Sequence, residues 1–402
     1  MRTLRSSPLL LLPVLLAAGA AADPATLLDR GAPSYAMEAV VLTGQPAPDG
    51  GAFTEFSDPS LNNHGDLAFG GLTTSPKFHV ALYLRAGGTL RTLVTAGRAA
   101  PTGGTFQIFN DVLLNDRQTV VFLGRTSDRV AHQGLYFVRA ASITPIVATG
   151  QPAPSGGAFT DFANPTLNTH DVVAFVGRMT GPAREGIFTS VEGSITPVVL
   201  SGQQAPTGGT FQFFLDGTPA LNDPGQIAFT AATTDRATLG IYVVVEGEPV
   251  PVVTTDDEAP GGGSFGEFGF VNLTNAGTVG FVGRSPQSPI REALYVTGRA
   301  GLIRLARQGQ AVSGEVLTTF VNSVMNSEEV VVFEQGTPDP IPRAIFAATR
   351  GGVRPVVRAG DLAPSGQRFT AFDAPAVNDR GEIAFVAETA DGRHGIYLVT
   401  PK

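Results

Sequence analysis

Three acidic and three basic side chains recur at matching places in this 402-residue chain. Glu55, Asp161 and Glu267 each stand one residue before a phenylalanine, in "FTEF", "FTDF" and "FGEF". Arg125, Arg178 and Arg284 close "FLGR", "FVGR" and "FVGR". Converging carboxylates hold Ca²⁺, which takes about six to eight oxygens, or act as acid and base on a glycan. Arginine forks grip carboxylates and sulfates. Only three acids share the first column, the other copies offering Ile108, Phe213, Thr319 and Ala371. Solvated rim carboxylates therefore outweigh a cation site at Glu55, Asp161 and Glu267. The ligand-binding expectation rests on Arg125, Arg178 and Arg284 with those three acids beside them.

Further cations precede each "GIY"-like element: Lys77, Arg129, Arg184, Arg236, Arg291, Arg343 and Arg393. Together they suit an acidic glycan or another polyanion. The competing reading is local ion pairing on a solvated rim, which contributes little. It is supported by the nearby acids Asp128, Glu185, Asp235, Glu292, Asp339 and Asp391.

Other chemistries are poorly provided for. The chain has no Cys and no Trp, which removes thiol nucleophiles, Cys-based zinc sites and the usual sugar-stacking platform. H-E-x-x-H, G-x-S-x-G and the Walker pattern do not occur. His64 and His79 share the first repeat unit but stand 15 residues apart, and His132, His170 and His394 fall in three others, so none has local zinc-ligand spacing. "GGGSF" at 261–265 opens a strand rather than a helix, so it lacks the helix end that phosphate loops use. Asp256, Asp257 and Glu258 read as a solvated turn. No catalytic residue, metal or cofactor is assigned.

The elements that position these side chains are repeats. A "GQPAP"-like loop begins at Gly44, Gly97, Gly150, Gly202, Asp256, Gly309 and Gly360, at steps of 53, 53, 52, 54, 53 and 51 residues. Each copy carries a first-strand aromatic (Phe56, Phe109, Phe162, Phe214, Phe268, Phe320, Phe372). An Asn or Thr follows at Asn62, Asn115, Asn168, Asn222, Thr274, Asn326 and Asn378. Seven residues beyond each stands a Phe, from Phe69 to Phe385. A third aromatic comes at Tyr83, Tyr136, Phe188, Tyr242, Tyr295, Phe346 and Tyr397. Gly, Pro, Asn and Asp cluster between short apolar stretches, giving four strands per copy. The asparagines sit at the turn from first to second strand and read as turn-formers, since Asn bonds the backbone two residues on.

Four strands in seven copies predict an all-β, seven-bladed propeller with aromatic columns packing between blades. The blades fall at about 44–96, 97–149, 150–201, 202–255, 256–308, 309–359 and 360–402. The last copy lacks its fourth strand, and residues 36–43 resemble the missing piece. The N-terminal strand is thus expected to complete the last blade and close the ring, hiding sheet edges. Strand order places the "GQPAP" loops and the cation-bearing loops on one face, the top.

Three copies read "NNHGDLAF", "NDPGQIAF" and "NDRGEIAF"; "NDRQTVVF" and "NTHDVVAF" lose the Gly, "TNAGTVGF" replaces the Asn, and "NSEEVVVF" keeps only the ends. This column resembles the bacterial exported tandem-repeat family named for its N-x-x-G-x-x-A-F motif. The resemblance spans nearly the whole mature chain and implies no established activity. Members often carry C-terminal surface anchors, and "GIYLVTPK" does not resemble one.

Residues 1–22 read as a cleaved signal peptide: Arg2 and Arg5, then "PLLLLPVLLAAGA", then small residues before Asp23. Residues 23–35 read as a linker and 36–402 as one domain of the mature chain. Loss of two arginines and no acid moves the formal charge from −8 to −10. Such a chain is a poor nucleic-acid binder, and no membrane span is expected in it. The expectation is a monomeric periplasmic or secreted protein, a non-enzymatic binder or scaffold. Its partner would be an acidic glycan or a protein surface on the top face. The alternative is a polysaccharide hydrolase or lyase using Glu55 or Asp161 with substrate-binding arginines.

Overall fold

A computed structural model describes residues 35–402, apart from 78, 141, 216, 218, 236, 237, 300 and 337–342. The signal-peptide reading, Arg236 and Asp339 lie outside the described residues. The fold is all-β: seven blades of four antiparallel strands form a β-propeller. In blade 2 the strands are Phe106–Leu114, Val120–Thr126, Gln133–Arg139 and Ser142–Ala148, hydrogen-bonded in chain order.

The expected closure is present. Tyr35–Leu42 pairs with His394–Pro401 as the fourth strand of blade 7, from Tyr35 opposite Pro401 to Leu42 opposite Gly395. It begins one residue earlier than the sequence suggests. A ring of blades leaves no open end that needs a polar cap.

Alternation along each strand builds the blade interfaces. In blade 2, Phe122 joins a buried cluster with Ala68, Leu82 and Leu84 of blade 1. Its neighbours Val121 and Leu123 point the other way, into a cluster with Phe159, Phe162 and Phe175 of blade 3. Seven such clusters occur, each joining the aromatic face of one blade to the aliphatic face of the blade before. Within every blade the second-strand Phe stacks on the third-strand Tyr or Phe at 5.4–5.9 Å. Fully burying one such ring contributes about 1.5–3 kcal/mol. A further aromatic, at Phe53, Phe106, Phe159, Phe211, Phe265 and Phe369, completes a quartet in all blades but the sixth, where Leu317 takes its place. The rings demand small neighbours: a Cβ on Gly283 would lie 2.5 Å from the Phe265 ring.

The first strand bulges in its lower half. Register slips between Asn110 and Leu113 in blade 2, and at the matching place in blades 3, 5, 6 and 7. Asp111, Asn164, Phe270 and Asn322 adopt positive φ of 45–50° there, a conformation that non-glycine residues take at a cost. Such bulges re-aim side chains.

Candidate functional site

On the top face, the six side chains singled out from sequence separate into pairs and singles. Asp161, Arg178 and Glu185 are register partners across three strands of blade 3. Arg178 Nη1 lies 3.2 Å from Asp161 and its Nε 3.4 Å from Glu185. Blade 5 repeats this: Arg284 meets Glu267 and Glu292, each at 3.0 Å. Glu185 and Glu292 also accept the backbone N–H of the next blade's aromatic, Phe214 at 3.3 Å and Phe320 at 2.7 Å. Glu267 and Asp161 therefore do not form a carboxylate cluster; each is taken by its own arginine.

Blade 2 has the same frame without the acids. Ile108 and Gln133 flank Arg125 in register. Gln133 keeps the inter-blade contact, its Nε2 donating to Phe162 O and its Oε1 accepting from Phe162 N, both at 3.3 Å. Arg125 is exposed and has no ion-pair partner among the described residues. Glu55 is also exposed, opposite Leu72 rather than a cation. Exposed Ile108 and Phe213 share its column, at 47% and 49%. Among the loop cations, Arg393 pairs with Asp391 at 2.7 Å.

Along the axis lies a second cluster that sequence reasoning missed. A cavity of about 380 Å³ is lined by Asp58 and Asp111 with Val112, Val324 and Pro375. Burial, then the nearby Asp373 charge, pushes the Asp58 carboxyl up to about 6. Asp58 and Asp111 are exposed, so this effect is partly screened by solvent. Glu334, from the second strand of blade 6, is 1% exposed. Burial pushes it up to about 7 against a hydrogen bond from Asn322 Nδ2 at 3.1 Å, with the Asp373 and Asp58 charges adding to the rise. Burial also raises Asp111. The signal for this cluster was available: acids stand one or two residues after the first-strand aromatic in blades 1, 2 and 7. Among the described residues, no group of three or more His, Asp and Glu is arranged to hold a metal ion.

The bottom face is closed by a belt. Each buried asparagine of the turn column accepts backbone N–H groups of its own turn; Asn115 Oδ1, for example, takes Arg117 N at 3.1 Å and Thr119 N at 3.0 Å. That is the turn-forming role expected from sequence. Its Nδ2 does something else, donating to the Asn168 carbonyl of the next blade at 3.0 Å. The same link joins Asn62 to Asn115, Asn168 to Asn222, Asn222 to Thr274, Asn326 to Asn378 and Asn378 to Asn62. Thr274, with no amide, has no such link to Asn326 among the described residues. Beside the belt, Asp116, Asp223 and Asp379 accept from neighbouring backbone and side-chain amides around a mouth of about 190 Å³.

A model for a family of unknown function (DUF7453) matches residues 31–239 and again 233–397. The chain belongs to that family. The DUF7453 model thus meets this ring as two overlapping segments, in keeping with its internal repetition. No curated protein matches the chain in sequence. Among solved structures, a puromycin hydrolase superposes with a TM-score of 0.52 at 12% identity, over 85% of this chain and 51% of that one. A mutant of it complexed with PGG gives 0.50 at 12% identity, over 83% and 50%. This chain spans about half the length of those two proteins. The polysaccharide lyase Uly1 gives 0.46 at 12% identity, over 89% and 90%. At such identity the likeness is one of fold alone, and one propeller fold serves many functions.

Proposed function

We propose that this DUF7453 member is an exported, monomeric, non-enzymatic binding or scaffold protein whose top face takes an acidic glycan or an acidic protein surface at Arg125. One observation carries the reading. Three blades hold an arginine at the same register position, and only Arg125 lacks the two flanking carboxylates. An acidic ligand at Arg125 takes the place that Asp161 and Glu267 fill in the other blades, with exposed Ile108 beside it. Arg178 and Arg284 contribute less than sequence suggests, because a ligand must compete with carboxylates already bound. The binding reading is preferred to a hydrolase or lyase because Asp161 is held by Arg178 and Glu55 has no arginine opposite.

A thermal-shift screen of the mature protein with acidic glycans, neutral glycans and Ca²⁺ tests this. The expected result is a shift with acidic glycans only, diminished in Arg125→Ala and kept in Arg178→Ala. The absence of a shift with every acidic ligand sinks the anion-binding reading. Turnover of any glycan overturns the non-enzymatic one.

A further inference from the structure

A groove on the bottom face lies between blades 2 and 3, with a volume of about 580 Å³. That is within the range of sites that hold small organic ligands. Its chemistry comes from a departure in the repeat. The fourth turn residue is Gly in four copies, Gly65, Gly225, Gly277 and Gly381, at φ of 73–88°. In blade 3 it is Asp171, held at φ 64°. Asp171 accepts from Asn115 Nδ2 at 2.8 Å and pairs with two guanidiniums, Arg117 at 3.3 Å and Arg139.

Two arginines therefore share one carboxylate. Arg139 Nε goes to Thr119 Oγ1 at 2.8 Å, and both side chains remain 57% exposed. Each guanidinium has five N–H donors, so donors are left over on both. Phe137, 6.0 Å from the Arg139 guanidinium, and Pro145 give the groove an apolar wall. Glu192 and Thr144 border it with acceptors suited to hydroxyl groups. Anion-gripping forks, an apolar wall and hydroxyl acceptors in one groove match one kind of ligand better than a simple anion.

We infer that this groove binds a hexuronate-type acidic sugar, its carboxylate on Arg117 and Arg139 and its hydroxyls toward Glu192 and Thr144. The site stands apart from Arg125, which lies at the opposite end of the strand Val120–Thr126. The test is calorimetric titration of the mature protein with a galacturonate trimer, maltotriose and benzoate. The trimer is expected to bind, with Arg139→Ala and Arg117→Gln each weakening it about tenfold or more, the loss of a charged hydrogen bond. Arg117 makes its side-chain contact at the surface, so Arg117→Gln guards against a folding failure in Arg139→Ala. Run in the Arg125→Ala background, the titration reads the groove alone, and the trimer is expected to bind there still. No binding of the trimer, equal binding of maltotriose or benzoate, or undiminished binding in the Arg117→Gln/Arg139→Ala double variant each overturns the groove site. Loss in Arg125→Ala alone does so too, and assigns the acidic sugar to the top face.

Discussion

Six of seven copies on the bottom face carry the same asparagine making the same inter-blade bond. On the top face, the column that holds Arg125, Arg178 and Arg284 holds Leu72, Ala232, Gly336 and Glu388 in the other blades. The difference follows from what each position touches. A belt asparagine serves two blades at once, satisfying its own turn and a neighbour's carbonyl, so replacing it damages both. The top-face arginine meets only side chains of its own blade, so it is free to pair, to stand alone or to disappear. Uniformity between copies marks the ring's own requirements, and divergence marks where a ligand can be accommodated.

The harshest way to break the comparison removes the ring itself. Deleting residues 36–43 takes away the fourth strand of blade 7, and a single cooperative thermal transition is expected to vanish. A truncated chain that melts like the full one refutes the closure. Next comes the belt. Asn115→Ala leaves buried turn N–H groups and the Asn168 carbonyl unsatisfied, costing about 3 kcal/mol in urea unfolding. An effect under about 0.5 kcal/mol would make the belt incidental.

The axis gives a pH signature of similar size. Glu334 rises from 4.5 to about 7 in the folded chain. The folded state then binds a proton that the unfolded state releases, so the contribution of Glu334 to stability is greatest below about pH 4.5 and is lost as pH rises through about 7. The loss is about 2–3 kcal/mol. Glu334→Gln should flatten that slope between pH 5 and 8; an unchanged slope removes Glu334 as its source. Thr274→Asn sharpens the comparison in the opposite direction by supplying the seventh link, stabilising by about 1 kcal/mol. Arg125→Ala should change stability least, within about 0.5 kcal/mol, while weakening the response to acidic glycans. If it destabilises as much as Asn115→Ala, the top and bottom faces do not differ in kind.

Blade number, strand count and closure were legible because they recur: a column repeated seven times reports packing without any coordinates. The asparagines were half legible. Their turn bonds are local, two and four residues away, whereas the amide reaches a carbonyl some 53 residues along. The arginine pairs were obscured by the first strand's register shift, which sets Asp161 opposite Arg178. A second irregularity hid Asp111 and Asp58: the slip between Asn110 and Leu113 in blade 2 and the break between Phe53–Phe56 and Ser60–Leu61 in blade 1, which an alternating strand does not foretell.

Closure also fixes an order in time. Blade 7 joins residues 35–42 to residues 369–401, the earliest and latest parts of the described chain to be synthesised. At about 5–20 residues per second on the ribosome, the opening strand waits tens of seconds for its partner. Until then it has no sheet to join, and the chain stays open along its length. Closure of the ring therefore cannot precede the appearance of the strand His394–Pro401.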